Sequence, residues 1–458
     1  MVNTRDGSLT PNVDVMMAGA RITAISPARL DSDGPQAGVR ASGLFVVPGY
    51  LEMHSHALLP GGHPGALPLM LACGITGFRQ MGGSDELLAE RRAGRLELPP
   101  DSPGLLATPG EVLTPANAGT SEMAIATVRH QKDAGADFIK VGVAAPDVFF
   151  DAQAEARRLG IPIVGHLPRG IDVVAASAGG MKSIEHLGPG VGILAFCSTE
   201  TDEILASLAD TPNSRAAMPR LSPEMASLLR KMLVNPTLMN GPIEFAALKR
   251  AVTTFSEDRA RRLAEYFVQD ETWQCTTLIR ERTCQLGDAA EFREDPNHQY
   301  VSTSTLELWN ELSRQFEAQP ADVKDTYRRA YDRHLQLTRL FDAAGVRIIA
   351  GSDASGAGWE VPGFALHAEF VELSRAGLSP LRVLQTTTLD AAEFLGMHDA
   401  LGSVEVGKAA DLVLLGSNPI ESAANLHDIR GVVRAGRYYS PAELHDIKHT
   451  VATQRSAE

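Results

Sequence analysis

In the stretch VVPGYLEMHSH, residues 46–56, an apolar run ends in Pro-Gly and two histidines, His54 and His56, then flank one serine. On an extended backbone alternate side chains project to the same side, so these imidazoles converge on one point and form a corner of a metal shell. Taken alone the pair says little, because 13 histidines in 458 residues produce one by chance now and then. His166 in IPIVGHLP and His186 in KSIEHLGPG, however, each follow a short apolar run and precede a loop containing Pro or Gly. Asp353 in RIIAGSDAS brings a carboxylate to the same kind of position, where the plain alternative is an N-cap for the next helix. Lys140 stands inside the apolar run ADFIKVGV. A buried lysine is costly unless paired, and an ammonium has no lone pair to offer a metal. Carboxylated on its ε-amine it becomes a carbamate anion able to bridge two cations; otherwise it is a lysine reaching the rim to meet an acid.

Residues so far apart in sequence meet only in a fold that gathers strand ends. From GITGFRQMGG to VRIIAGSDASG, strand-like runs alternate with helical patterns such as FDAQAEARRLG and IDVVAASAGG. Repeated βα units imply a parallel sheet, and about eight of them fit a closed (β/α)8 barrel of the TIM type, with strand ends around one mouth. The expected fold class is therefore α/β, with this barrel over 48–397. Both termini read as β-rich: VDVMMAGARITAIS as a hairpin turning at Ala-Gly, GLFVVPG as a further strand, LGSVEVGKAADLVLLG and GVVRAGRYYS near the other end. They predict a small composite β-sandwich from 1–47 and 398–458. The long stretch between SIEHLGPG and VRIIAGSD is rich in helical patterns (SPEMASLLRKML, EDRARRLAEYFVQD, ADVKDTYRRAYDRHLQLTRLFDAAG) and predicts a helical cap insertion within 187–340.

Bulk properties narrow the class. A net charge of -14 argues against a nucleic-acid surface, and no signal peptide or long apolar span is read from the chain. The expectation is a soluble cytoplasmic protein with a small-molecule substrate, no nucleic-acid or membrane partner, and room for a homo-oligomer. Cys73, Cys197, Cys275 and Cys284 lack C-x-x-C spacing, which excludes a zinc knuckle and fits reduced thiols; Cys275, in WQCTTL, reads as a small buried hydrophobe.

Taken in order, VVPGYLEMHSH, IKV, GHLP, IEHL, GSD and LGSVEVGKAADLVLL resemble the amidohydrolase superfamily, metal-dependent barrel hydrolases with a binuclear centre. TGFRQMGG, VGHLPRGIDVV, WQCTTLIRER and PGFALHAEFVELSRAGLSPLRVLQTTTLDAAEFLG are similar to its imidazolonepropionase-like, Xaa-Pro dipeptidase-like and acyl-amino-acid-hydrolysing members. The resemblance implies that His54, His56, carboxylated Lys140 and Asp353 hold the more buried metal, and Lys140, His166 and His186 the more exposed one. Zinc suits these ligands, and manganese, cobalt, nickel or iron would also be accepted. It further implies a hydroxide between two divalent ions as the attacking group, one metal polarising the carbonyl, and Asp353 as the catalytic proton carrier.

Two departures stand out. Gln80 occupies a position where many relatives carry Asp, and Thr276-Thr277-Leu278 replaces the Pro-Thr-Leu common in the seventh strand. Arg280, with Arg282 behind it, is a candidate to grip a substrate carboxylate, an exposed salt bridge being the alternative. His63 and His367 are left out of the shell, the first in a Gly/Pro loop, the second on a helix. The expected activity is cleavage of an amide or peptide-like C–N bond, in an N-acyl amino acid or dipeptide-like substrate. An esterase or lactonase on the same centre, a deaminase or lyase, and a catalytically silent scaffold are the competing readings.

Overall fold

Every residue of Tyr50–Ser55, Ile75–Gln80, Ile139–Val141, Ile163–Gly165 and Trp273–Cys275 is buried. Such runs, without alternation of exposure, belong to strands covered on both faces. The computed structural model describes residues 1–28, 38–59, 62–209 and 230–455. In it the strands are, in chain order, β1 (Val13–Ala18), β2 (Arg21–Pro27), β3 (Phe45–Pro48), β4 (Tyr50–Ser55), β5 (Ile75–Gln80), β6 (Gly104–Ala107), β7 (Ile139–Val141), β8 (Ile163–Gly165), β9 (Met181–Glu185), β10 (Trp273–Cys275), β11 (Ile348–Ile349), β12 (Leu412–Leu415), β13 (Ile429–Arg434) and β14 (Arg437–Tyr439).

Strands β4 to β11 run parallel in two arcs, β4-β5-β6 and β7-β8-β9-β10-β11. Two seams close the arcs into a barrel. At one, Pro109 bridges Phe138 and Asp137 N–H donates to Thr108 O at 3.0 Å. At the other, Ser55 bridges Ala354 and Asp353 N–H donates to His54 O at 2.8 Å. This second seam matters for chemistry, because it sets Asp353 beside His54 although 299 positions separate them in the chain. Helices between the strands cover the barrel; Pro146–Arg158, for example, buries Val148, Phe149, Ala152 and Ala156. A buried side chain of Val or Phe size stabilises by about 1.5–3 kcal/mol.

The terminal module is antiparallel. β3 pairs with β12, and β13 and β14 follow, while the β1–β2 hairpin docks through the Arg21–Ala409 bridge. Ile22, Leu412, Leu414 and Val433 form its core. The strand before the two histidines is thus not the apolar run Phe45–Val47, which belongs to this sheet, but β4, which starts after Gly49. A Cβ on Gly49 would lie 2.1 Å from Thr76 Oγ1, so only glycine lets the chain pass from sheet to barrel here.

Within 187–340 the described residues are mainly helical, and the expected helix over 222–233 lies for the most part outside the described residues. Glu257–Gln269 and Ala321–Ala344 pack together and lead into β10 and β11 as barrel helices. Leu278–Gln285, Ala290–Arg293 and Thr303–Glu317 lie between β10 and Ala321–Ala344. Pro441–Arg455 leaves the terminal sheet and packs on barrel helix Ala66–Ala72. No described helix is long and apolar enough to cross a membrane, and all four cysteines are buried free thiols.

Candidate metal centre

Burying a charge is expensive unless something pairs with it, yet the strand ends at one mouth of this barrel carry several. On β4, Glu52 and His54 are both buried; His56 follows the strand end, and Lys140 is the middle residue of β7. His166 follows β8 and His186 follows β9, while Asp353 lies four positions past β11. His186 and Asp353 have φ of 59° and 67°, left-handed turns that let the chain leave its strand sharply. Two glycines allow close approach. A Cβ on Gly165 would stand 2.3 Å from Val141 O, and one on Gly351 would stand 2.6 Å from His54 Cβ.

The fold brings the six residues read from the sequence to this one mouth. His54 Nε2 and His56 Nε2 stand 3.1 and 2.9 Å from Asp353 Oδ1, and His186 Nε2 lies 3.9 Å from Asp353 Oδ2. Ligand atoms of His54, His186 and Asp353 all fall within 4.8 Å of one another. The His54 and His186 rings are 4.6 Å apart between centroids, and His166 is 5.1 Å from His186. Burial holds His56, His166 and His186 below the ordinary imidazole range, with Lys140 adding to the effect at His166 and Arg280 at His186. These rings are neutral at pH 7 and keep a lone pair. Burial opposes charge on Asp353, but its neighbours at the mouth, His54 first among them, hold its carboxyl well below the usual range. Burial also lowers Lys140 to about 8, against the pull of Glu185 and Asp353.

Three buried atoms of this group, His54 Nε2, His56 Nδ1 and Lys140 Nζ, make no hydrogen bond. An unsatisfied buried polar atom costs about 1–3 kcal/mol, and neutral imidazoles with unpaired nitrogens beside an ionised carboxylate form a donor set that a cation would satisfy, which Lys140 would join only once carboxylated. The residues fit a divalent metal centre.

Several supporting residues were not singled out from the sequence. Glu185 accepts from His54 Nδ1 at 2.7 Å and so leaves Nε2 to face the mouth. Arg79, fully buried, donates to both Glu185 oxygens at 3.0 and 3.1 Å and to Met53 O at 2.6 Å. Burial acts to raise the Glu185 carboxyl, but Arg79 and His54 together hold it far below its ordinary range. Glu52 accepts from the backbone N–H of His54 and Ser352 at 2.9 and 3.0 Å, tying β4 to the Asp353 loop. Thr277 is a correction to the sequence reading, in which the Thr276-Thr277-Leu278 departure touches no candidate ligand: its Oγ1 meets His186 Nδ1 at 2.6 Å. The Thr277 turn is held in place by Glu369, which accepts from Thr276 Oγ1 and Ile279 N–H. A charge inside an apolar strand is the signal that pointed to Lys140, and Glu52 in YLEMHS, Arg79 in ITGFRQ and Glu185 in MKSIE carry the same signal.

The two arginines part company. Arg280 Nε stands 2.8 Å from Asp353 Oδ2 and its NH1 donates to Glu281 at 2.7 Å, whereas Arg282 turns to Glu291 and Glu372. Gln80 accepts from Leu58 N–H and donates to Gly82 O, both in loops at the rim. His63 meets Tyr300 O, and His367 meets Cys73 O at 2.7 Å outside the mouth. Burial pushes the Cys275 thiol well up, keeping it protonated beneath His54.

Residues 334–438, which include Asp353, match the model of the amidohydrolase family. No protein of curated function matches the chain by sequence. Among solved structures the fold is shared with a bottromycin amidohydrolase, at TM-score 0.70 and 22% identity over 98% of this chain and 87% of that one. A Xaa-Pro dipeptidase with methionine bound in its active site aligns at TM-score 0.59 and 17% identity, over 96% and 97% of the two chains. An A. niger ochratoxinase aligns at TM-score 0.57 and 14% identity, over 96% and 93%.

Proposed function

We propose that this chain, whose fold is that of the amidohydrolases and whose residues 334–438 carry their sequence, is a metal-dependent hydrolase that cleaves an amide or peptide-like C–N bond. The observation that carries the reading is the convergence of His54, His186 and Asp353 ligand atoms within 4.8 Å, at a mouth where three neighbouring polar atoms lack partners. His54, His56, Lys140 and Asp353 would hold one divalent ion, and Lys140, His166 and His186 a second, zinc being the ion that best suits this set. Bound there, the pair supplies Lewis acidity that lowers the pKa of water and polarises a carbonyl.

The chain's own groups do the rest. With a folded pKa of about 8, Lys140 has an appreciable neutral fraction near pH 7, and the neutral amine is the form that adds CO2 to give a carbamate. That modification removes an ammonium from a buried site and replaces it with an anion that matches the cations. Asp353, held ionised, would accept a proton from attacking water and return it to the departing amine. Arg280, 2.8 Å from Asp353, is within reach of a carboxylate on the substrate beside the scissile bond.

Metal analysis and a hydrolysis screen of zinc-loaded protein against N-acyl amino acids, dipeptides, lactones and aryl esters tests this, with Lys140→Ala as control. The expected result is two metal equivalents, amide turnover, and a loss of more than about 100-fold in the control, at the upper end of what disturbing a metal shell costs. Turnover of esters or lactones alone would remove the amide claim, and a control as active as the native protein would remove the bridging lysine.

A further inference from the structure

Thr277 stands where a helix cap is expected and does not act as one. It is the residue before helix Leu278–Gln285, and a threonine there ordinarily turns its hydroxyl onto the second or third N–H of the helix. Here the second N–H, that of Ile279, donates instead to Glu369 Oε2 at 2.8 Å, on the neighbouring helix Phe364–Ala376. The cap therefore comes from another element, and Thr277, fully buried with φ of 41°, keeps its hydroxyl for His186. A β-branched residue in the left-handed region costs about 1–3 kcal/mol and persists only where its surroundings hold it. Glu369 supplies that hold on both sides of Thr277, since its Oε1 also pairs with Thr276 Oγ1 at 2.9 Å.

Counting donors assigns the hydrogens along this path. Thr277 Oγ1 carries one hydrogen and donates it to Thr276 O at 2.9 Å. Toward His186 Nδ1, 2.6 Å away, it can then only accept, so the neutral ring carries its proton on Nδ1 and its lone pair on Nε2. Nε2 is the nitrogen that faces the mouth, 3.9 Å from Asp353 Oδ2. Burial raises the Glu369 carboxyl to about 8, and the path does not depend on its charge: a neutral carboxyl still accepts from Ile279 N–H and shares a hydrogen with Thr276 Oγ1. Resting on the metal-centre reading above, we propose that Glu369 is a positioning residue for the outer ion. By capping helix Leu278–Gln285 in place of Thr277, it frees that hydroxyl to hold His186 as the Nδ1–H tautomer, with Nε2 left to bind metal. Without Glu369, Thr277 would turn back to cap its own helix and release the ring.

Two readouts on the full chain test this. Zinc is titrated calorimetrically into metal-free protein, and NMR of the histidine ring nitrogens, recorded without metal, reports the His186 tautomer, its signals identified by their loss in His186→Asn. The native chain is expected to take up two zinc ions and to carry the His186 proton on Nδ1. Glu369→Leu, which keeps the bulk and removes both acceptors, should weaken the outer ion by about 10-fold, leave the inner one unchanged and mix the two tautomers. Glu369→Gln, whose amide oxygen still accepts from Ile279 N–H, should keep both native readings. A proportionate weakening of both ions, no change in Glu369→Leu, a Glu369→Gln as impaired as Glu369→Leu, or a native His186 protonated on Nε2 would each overturn the proposal. If Glu369→Leu does not fold, Thr276→Val, which removes one of the two links, takes its place: a smaller loss confined to the outer ion supports the role, and no loss or an even loss of both ions overturns it. A native chain that binds no zinc would sink the metal reading itself, an outcome distinct from two-ion binding that Glu369→Leu leaves untouched, which sinks the role of Glu369 alone.

Discussion

The two halves of the barrel mouth are built to different standards. Around His54 the chain invests a buried ionic network: Glu185 on the ring, Arg79 on Glu185, and Glu52 on the backbone of both His54 and Ser352. Across the mouth, His186 has the single hydroxyl of Thr277, and no hydrogen bond orients the ring of half-buried His166 among the described residues. Orientation of an imidazole by a charged, buried partner both fixes the tautomer and raises the basicity of the ligating nitrogen. His54 therefore holds its geometry without help, whereas His56, whose Nδ1 has no partner, and the outer His166 and His186 depend more on what they bind. A tight inner position and a looser outer one follow from this difference.

The comparison is broken most severely at Glu185. Glu185→Ala leaves Arg79 buried and unpaired, which is expected to cost about 3–5 kcal/mol in denaturant unfolding and to weaken the inner metal position as well. An unchanged midpoint would mean that the network contributes nothing. Dialysis of the loaded protein against a chelator should lower the metal content in two stages, the outer ion leaving first; a single stage removes the distinction between the halves. Thr277→Val sharpens it from the other side. Deleting the hydroxyl on His186 should weaken the outer ion by about 10-fold and leave the inner one unchanged in a metal titration. Loss of both ions in proportion would show that the halves act as one.

The smallest effect involves an imidazole in neither half. His367 is buried against Cys73 O, and burial lowers its pKa from 6.5 to about 3. The unfolded chain therefore binds a proton that the folded one refuses. Stability contributed by the neutral ring is present above 6.5 and is lost as pH falls toward 3, by about 1 kcal/mol between pH 6.5 and 5.5 and nearing about 1.4 kcal/mol per unit below that. His367→Phe should flatten that part of the stability profile, and an unaltered slope would assign the acid sensitivity elsewhere.

Much of the site was legible because its chemistry is written in residue types placed where packing alone would not put them. His54 and His56 at a strand exit, Lys140 in an apolar run and Asp353 after a buried strand each violate the hydrophobic pattern around them. The same logic applied to Glu52, Arg79 and Glu185 would have found the supporting network, but each sits beside a more conspicuous residue. β6, only Gly104–Ala107, lay in what reads as a gap, because four residues with partial burial give no periodicity to detect.

The parallel βα alternation, the antiparallel ends and the identity of the candidate ligands were determined by the sequence alone, since periodicity and residue chemistry are local properties. Which of these groups meet was decided by the closed barrel. The seam between β4 and β11 turns 299 positions of separation into a hydrogen bond of 2.8 Å between Asp353 N–H and His54 O. Tertiary structure likewise set Arg280, the arginine nearer the strand end, beside Asp353, because pairing among buried charges depends on distances that no spacing along the chain encodes.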